Sequence, residues 1–470
     1  ASDRHGHVRW GDAGLLAGAL ALAFAVGVAS PLAIAAASGI VGAVIVSQQR
    51  RSPSRAAAGV TVMILGFSLL AVLAIRAAHD PALNAGNPDS WAALWDLVGR
   101  AQYGGHKLLP RQAPIWIQLG NLLEYGDWQV ALALTPDVRP SLVRTPVTLL
   151  FVAFGVVGAM AHRRADARSW AAMIVTFVAG SIALAIYLNF KAGASFGVGV
   201  LPEDTPHEAR ERDYFFVLAI WVWGAWAGWG AVTFFRRIHP KLLPLGVAMA
   251  ALPVALNWSA VSRRHEPDAS LPTLVAQTLL ASAPPDAVLI TGGDNDSFPL
   301  WYLQEVEGVR RDVSVVVAPL LGARWYVEQL TRRDSLLERS VARRSLGEEF
   351  PLLAAIGDGA RARGRPVAVA LSAGVTRARL AGLEEPTLRG MVLVEGSQDA
   401  DLSPALPYGI DTVETARVAA RLTGIPREVR PGVDPTAEAF RALLECPRQA
   451  LSLVRREAAV SSLDSRCNPR

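Results

Sequence analysis

Cysteine is close to absent from this chain: among 470 residues only Cys446 and Cys467 occur, both near the C-terminal end. No CxxC run and no Cys/His spacing surrounds them, which excludes a zinc finger or a thiolate metal site. Whether the two pair with each other is left open by the sequence. Charge is scarce too, at 19% where an ordinary soluble protein has roughly a quarter. A GxGxxG run is missing, so Gly292-Gly293 does not read as a dinucleotide fingerprint. The scarcity of charge is uneven. Residues 1–262 hold long uncharged runs, whereas 263–470 carry a charge every few positions. With 51% hydrophobic residues, this excludes a disordered chain, a fibrous repeat and a small disulfide scaffold. It divides the chain into a membrane half and a soluble half.

A helix crossing about 30 Å of hydrocarbon needs about 20 apolar residues. Residues 56–75, 169–190, 214–235 and 242–262 are uncharged, and 145–161 is a shorter uncharged run. The uncharged run 13–46 would be about 50 Å long as one helix at ~1.5 Å per residue, and Pro31 interrupts it. It reads as two short spans, 13–29 and 32–47, giving about seven in all. The loops 48–55, 162–168 and 236–241 carry three basic residues each and fall on one side if the spans alternate. By the positive-inside rule that side is cytoplasmic. The same rule accounts for the net charge of +5 without a nucleic-acid partner. The long loop 76–144, the loop 189–213 and everything after 262 then face outward. No expected span holds an ionisable side chain, which speaks against an ion-coupled transporter. Arg4, His5, His7 and Arg9 ahead of the first apolar run are unlike a secretory signal, and a further N-terminal part is expected in the full protein.

The expected fold is thus a polytopic α-helical membrane domain over 1–262 followed by an extracytoplasmic α/β domain over 263–470. In the second half, 287–291 and 313–317 read as buried strands flanking a Gly-rich turn and a helix over 298–307, a βαβ unit. Further strands are expected at 366–371 and 391–394, and helices near 325–331, 350–356 and 411–422.

Three clusters carry the candidate chemistry. His207–Asp213 (HEARERD) packs three acids, two arginines and a histidine at the external end of a span. Arg210 and Arg212, with Lys191 and His207, suit a phosphate, because guanidinium matches its oxygens bidentately. Glu208 with Arg212, and His207 with Glu211, are four apart and share a face if this stretch is helical. Asp213 is expected as the N-cap of the following span. The rival reading is a set of interfacial salt bridges. The turn Asp294-Asn295-Asp296 reads as an Asx-rich helix start with a role toward an acceptor or ligand rather than as a metal site. Trp91 and Trp95 are sugar- or acceptor-stacking candidates, or one face of an amphipathic helix on the membrane. Trp221, Trp223, Trp226 and Trp229, with Gly224 and Gly228, read as helix packing.

Four stretches, 75–104, QLGNLLEYGDWQ over 118–129, 189–216 containing NFKAG and HEARERDYFF, and ITGGDNDSFPLWYLQEVEGVRRD over 290–312, together resemble the family of transmembrane protein 260-like O-mannosyltransferases. The resemblance runs from about residue 13 to 330. It implies a GT-C type glycosyltransferase in a bacterial inner membrane, with the C-terminal domain in the periplasm. Its donor would be a polyprenyl-phosphate-linked hexose such as mannose, its acceptor a protein or glycan hydroxyl, and no other cofactor is implied. The family's catalytic carboxylate follows the first span in a WDSGEF-like segment that does not occur in this chain. The candidates left for that role are Glu208, Glu211 and Asp213. A non-catalytic membrane scaffold presenting the α/β domain is the alternative.

Overall fold

The computed structural model describes residues 70–99, 108–135, 139–261, 269–333, 336–422 and 435–455, less 203, 209, 346 and 397–399, together with 42, 61, 65, 68 and 467. Two compact units divide it. One comprises Ala1–Asp80 and Asn87–Ser262, the other Pro81–Gly86 and Arg263–Arg470.

Unit 1 is helical. After a helical stretch ending at Ala78 come α1 (Trp91–Val98), α2 (Ile115–Ala131), α3 (Arg144–Ala165), α4 (Ala167–Leu188), α5 (Val217–Ile238) and α6 (Leu243–Val261). Among the described residues, four helices are long and apolar enough to cross a membrane: Arg144–Ala165, Ala167–Leu188, Asp213–Ile238 and Pro240–Trp258. They fit an integral membrane protein and match the last four expected spans. The count of about seven is not supported. The spans expected at 13–29 and 32–47 lie outside the described residues apart from Gly42, as does most of 56–75.

Close approach between these helices is made possible by glycine, but not at the pair the sequence suggested. Gly158 of α3 lies against the Trp226 carbonyl and Gly230 of α5 against the Phe154 carbonyl, with no room for a Cβ at either. Gly224 has nothing near it, and Gly228 only touches Ala250. Trp226 is buried, while Trp221 and Trp229 are exposed. A π-helical turn over Ala179–Ala183 widens α4 where Gly180 meets Ala219 of α5, a common cause of local helix distortion. Phe177 meeting Trp223 and Gly180 meeting Ala219 make α4 and α5 antiparallel. Gly246 meeting Val232 and Gly228 meeting Ala250 do the same for α5 and α6. One end of the unit therefore gathers the end of α4 and the start of α5. Arg163 and Arg164 in the last turn of α3, and Arg236 and Arg237 in that of α5, close those two helices with cations, where the helix dipole favours them.

The second unit is a six-stranded mixed sheet in the order β2-β1-β3-β5-β4-β6. Its elements are α7 (Leu271–Ser282), β1 (Val288–Thr291), α8 (Asp294–Glu305), β2 (Ser314–Val317), α9 (Arg324–Arg333), α10 (Arg339–Arg344), α11 (Glu349–Arg361), β3 (Val367–Ala370), α12 (Val375–Leu380), β4 (Thr387–Arg389), β5 (Val392–Val394), β6 (Gly409–Ile410), α13 (Thr412–Arg421) and α14 (Pro435–Val454). β1 pairs in parallel with both β2 and β3. β1 and β3 are buried at every position, which explains their unbroken apolar runs. Helix α8 begins at Asp294, four residues before the expected start at 298. Asp296 accepts from the Gly292 amide (3.0 Å) and from Ser372 Oγ (2.5 Å), which locks the turn into the helix start. Arg310 is a second lock. It pairs with Asp312 (2.8 Å) and donates to the carbonyls of Leu280, Ala283 and Pro284 at the end of α7. That guanidinium holds the Asp312 carboxyl well below its ordinary value, at about 2. Cys446 and Cys467 form a disulfide, Cα–Cα 5.2 Å. Pro81–Gly86 packs with this unit: Arg333 donates to the carbonyls of Pro81 (2.7 Å) and Ala82 (2.6 Å).

Candidate functional site

The site forms where one face of α2 meets the segment 189–212. Gln118, Asn121, Glu124 and Tyr125 are polar residues at helical spacing, and all are buried. An apolar helix would not bury such a face without partners, and the loop supplies most of them. Asn189 ends α4 in the left-handed conformation (φ 49°), which Asn tolerates better than most residues. Its side chain accepts from the Gln112 amide (3.0 Å) and from Gln118 Nε2 (3.3 Å), and donates to the Pro110 carbonyl (3.1 Å). Gln118 also donates to the Phe190 carbonyl (2.6 Å). Asn121 donates to the Lys191 carbonyl (3.3 Å) and accepts from the Gly193 amide (3.0 Å). Glycine makes close approach possible at 120 and 193: Gly120 lies under the Phe196 ring, and a Cβ on Gly193 would press on Asn121, Tyr125 and Glu211.

The segment then turns back on itself. Ala192 bridges His207, and the Glu208 amide donates to the Ala192 carbonyl (2.8 Å). Glu208 Oε1 accepts from the Lys191 amide (3.1 Å), while its Oε2 accepts from Arg212 Nε (3.3 Å) and Nη2 (3.1 Å). Arg212 also donates to Tyr214 OH (3.2 Å), and its guanidinium lies 5.7 Å from the Phe190 ring centroid. Glu211 accepts from Ser195 N (2.8 Å) and Tyr125 OH (3.0 Å), and that hydroxyl accepts from the Arg212 amide (3.2 Å). Beneath this web, Asp127 pairs with Arg144 at 2.7 Å, Arg144 being 0% exposed. Arg144 further donates to the carbonyls of Thr135 and Arg139.

Two acidic groups of this web depart from ordinary acidity. Burial, and after it the Glu211 carboxylate, push the Glu124 carboxyl up to about 7; Arg144 opposes this and Asp127 adds to it. Glu124 is 5% exposed, and its Oε2 has no hydrogen-bond partner among the described residues. Burial beside Glu211 pushes the Tyr125 hydroxyl upward as well, so it stays a donor.

Most of the expected cluster is therefore brought together, though not as a helix. Residues 205–208 and 210–212 form no helix. The Glu208–Arg212 pair forms, but His207 bonds the carbonyls of Thr205 (2.7 Å) and Phe196 (3.1 Å) rather than Glu211. Asp213 does not cap the span; it is the first residue of a 3-10 turn, Asp213–Phe216, leading into α5. Lys191 and Arg210 are exposed. The acceptor candidates belong to other elements. Asp294 and Asn295 are exposed on the first turn of α8, and Asp296 is buried in its lock. Trp91 is 85% exposed and Trp95 39% on α1, with Leu94 buried, an amphipathic arrangement. The described residues contain no group of three or more His, Cys, Asp or Glu side chains that could hold a metal. Gln118, Asn121, Glu124 and Tyr125 were not singled out individually; their i, i+3, i+6 and i+7 spacing in QLGNLLEY was the available signal.

Residues 273–336 match the family described as TMEM260-associated domain 2. The match covers α7 through α9. Among curated proteins and among solved structures, nothing matches the chain.

Proposed function

We propose that the protein is a membrane glycosyltransferase that moves a hexose from a polyprenyl-phosphate donor to a hydroxyl of a protein or glycan. The observation that carries this reading is the interlock of α2 with 189–212. It fixes Arg212 through Glu208 and Tyr214 and leaves Lys191 and Arg210 exposed beside it at the start of a span. A lipid-linked phosphate would enter from the bilayer at that depth and meet cations whose geometry suits it. Electrostatic stabilisation of the leaving phosphate is the catalytic effect such cations supply. The similarity to a TMEM260-associated domain supports the same class. The Cys446–Cys467 disulfide supports an oxidising compartment for the second unit, because disulfides persist outside the cytoplasm. On this reading the chain lies in a bacterial inner membrane with residues after 262 in the periplasm.

The test is donor binding by the full chain in lipid nanodiscs. Arg210→Ala removes a charge-assisted contact of roughly 1.5–3 kcal/mol, so affinity for polyprenyl-phosphate-hexose falls about ten- to hundredfold. Unchanged affinity in Arg210→Ala and in Lys191→Ala would remove the phosphate site.

A further inference from the structure

Among the described residues of this web, Glu124 is a buried carboxyl that the interlock leaves without a hydrogen-bonded or ion-paired partner on one oxygen. Asp127 has Arg144, and Glu208 has Arg212. Glu211 is held by a hydroxyl and an amide, not by a cation. Glu124 has a carboxyl oxygen buried without a partner among the described residues. The charged groups that act on it are Glu211 from the loop, Arg144 from α3 and Asp127 from α2 itself, two acids against one base. A buried carboxylate facing a surplus of negative charge takes up a proton rather than stay ionised.

We infer that Glu124 is the proton-transfer group of this site, receiving the proton of the acceptor hydroxyl as that oxygen attacks the sugar. The inference rests on the glycosyl-transfer reading. In the step, the hydroxyl oxygen bonds to the anomeric carbon and its proton passes to the ionised Glu124 carboxylate. The bond from the anomeric carbon to the phosphate oxygen breaks, and its electron pair leaves with the phosphate. Glu124 then gives the proton to water. A base for this work should titrate close to the working pH, and the carboxyl at about 7 does so. Tyr125, one residue on, holds Glu211 in place through its hydroxyl. Glu211 thereby keeps the local charge that raises Glu124.

The experiment uses the full chain in nanodiscs and two readouts. Infrared titration of wild type minus Glu124→Gln is expected to show a protonated-carboxyl band that is lost with a midpoint near pH 7. In the transfer assay with polyprenyl-phosphate-hexose, Glu124→Gln is expected to bind donor as wild type does and to transfer at least about 100-fold more slowly, the lower end of a general base's contribution. Glu124→Asp is expected to restore part of the rate with a displaced pH profile. Because the folded carboxyl titrates above an ordinary carboxylate, its ionised form is disfavoured by the fold. The stability it costs is absent below about pH 4 and complete above pH 7, so Glu124→Gln is not destabilised relative to wild type at pH 8. Absence of the band between pH 5 and 9, or transfer by Glu124→Gln at the wild-type rate, would overturn the inference. So would a Glu124→Gln protein that melts early and loses donor binding, the mark of a purely structural role. A wild-type chain that shows the titrating band yet neither binds nor transfers would instead bring down the glycosyl-transfer reading, and the catalytic role with it.

Discussion

Among the described residues of the membrane unit, Arg144 is a heavily committed side chain. Fully buried, it holds Asp127 and the carbonyls of Thr135 and Arg139, and so fixes the link between α2 and α3. Removing one partner of a buried ion pair leaves an uncompensated charge, at a cost of about 3–5 kcal/mol. Arg144→Met is therefore expected to lower the melting temperature sharply, and Asp127→Asn with Arg144→Met together less than Arg144→Met alone. Thermal unfolding in detergent checks both, and a mild effect of the single change would contradict this assignment. Residues of this kind are hard to find in a sequence. Arg144 looks like a basic residue flanking a span, and only the fold reveals that Asp127, seventeen positions earlier, faces it. Glu124 was hidden for a related reason. A carboxyl becomes unusual through what surrounds it, and its neighbours Glu211 and Arg144 come from distant segments. The charged cluster at 207–213 was legible because its charges are consecutive at a span boundary. Of the two pairs expected there, Glu208–Arg212 forms without a helix, whereas His207 meets loop carbonyls rather than Glu211.

At the scale of elements, length decided what could be read. The last four spans are long uncharged runs and appear within a few residues of their expected ends. The strands β1, β2, β3 and β5 were legible as apolar runs, whereas β4 (TLR) and β6 (GI) are short and lack such a run. The start of α8 moved because side-chain bonds from Asp296, not propensity, set it. Much of the stretch ITGGDNDSFPLWYLQEVEGVRRD proves to hold the scaffold together through the Asp296 and Arg310 locks. The α3–α5 crossing yields a direct prediction. A methyl at Gly158 meets the Trp226 carbonyl, which is backbone and cannot swing aside. Gly158→Ala is expected to cost about 1–3 kcal/mol by overpacking, whereas Gly224→Ala, with open space around it, is expected to be neutral. Comparing the two melting temperatures tests the crossing, and equal values would contradict it.

At the scale of the whole molecule, composition alone divided the chain, and the structure has two compact units whose main boundary falls at 262/263. The exception is Pro81–Gly86, which joins the second unit through Arg333 and Gln329 and carries no compositional mark. The central claim is that the lipid-linked donor meets the chain at the α2 interlock. The most direct measurement is photo-crosslinking of a polyprenyl-phosphate-hexose bearing a photoreactive group next to the phosphate, using the full chain in nanodiscs and mapping the adducts by mass spectrometry. Saturable adducts are expected within 189–214 and 118–125, competed by unlabelled donor and lost in Arg210→Ala. Adducts confined to other segments, or labelling that unlabelled donor does not compete, would contradict it.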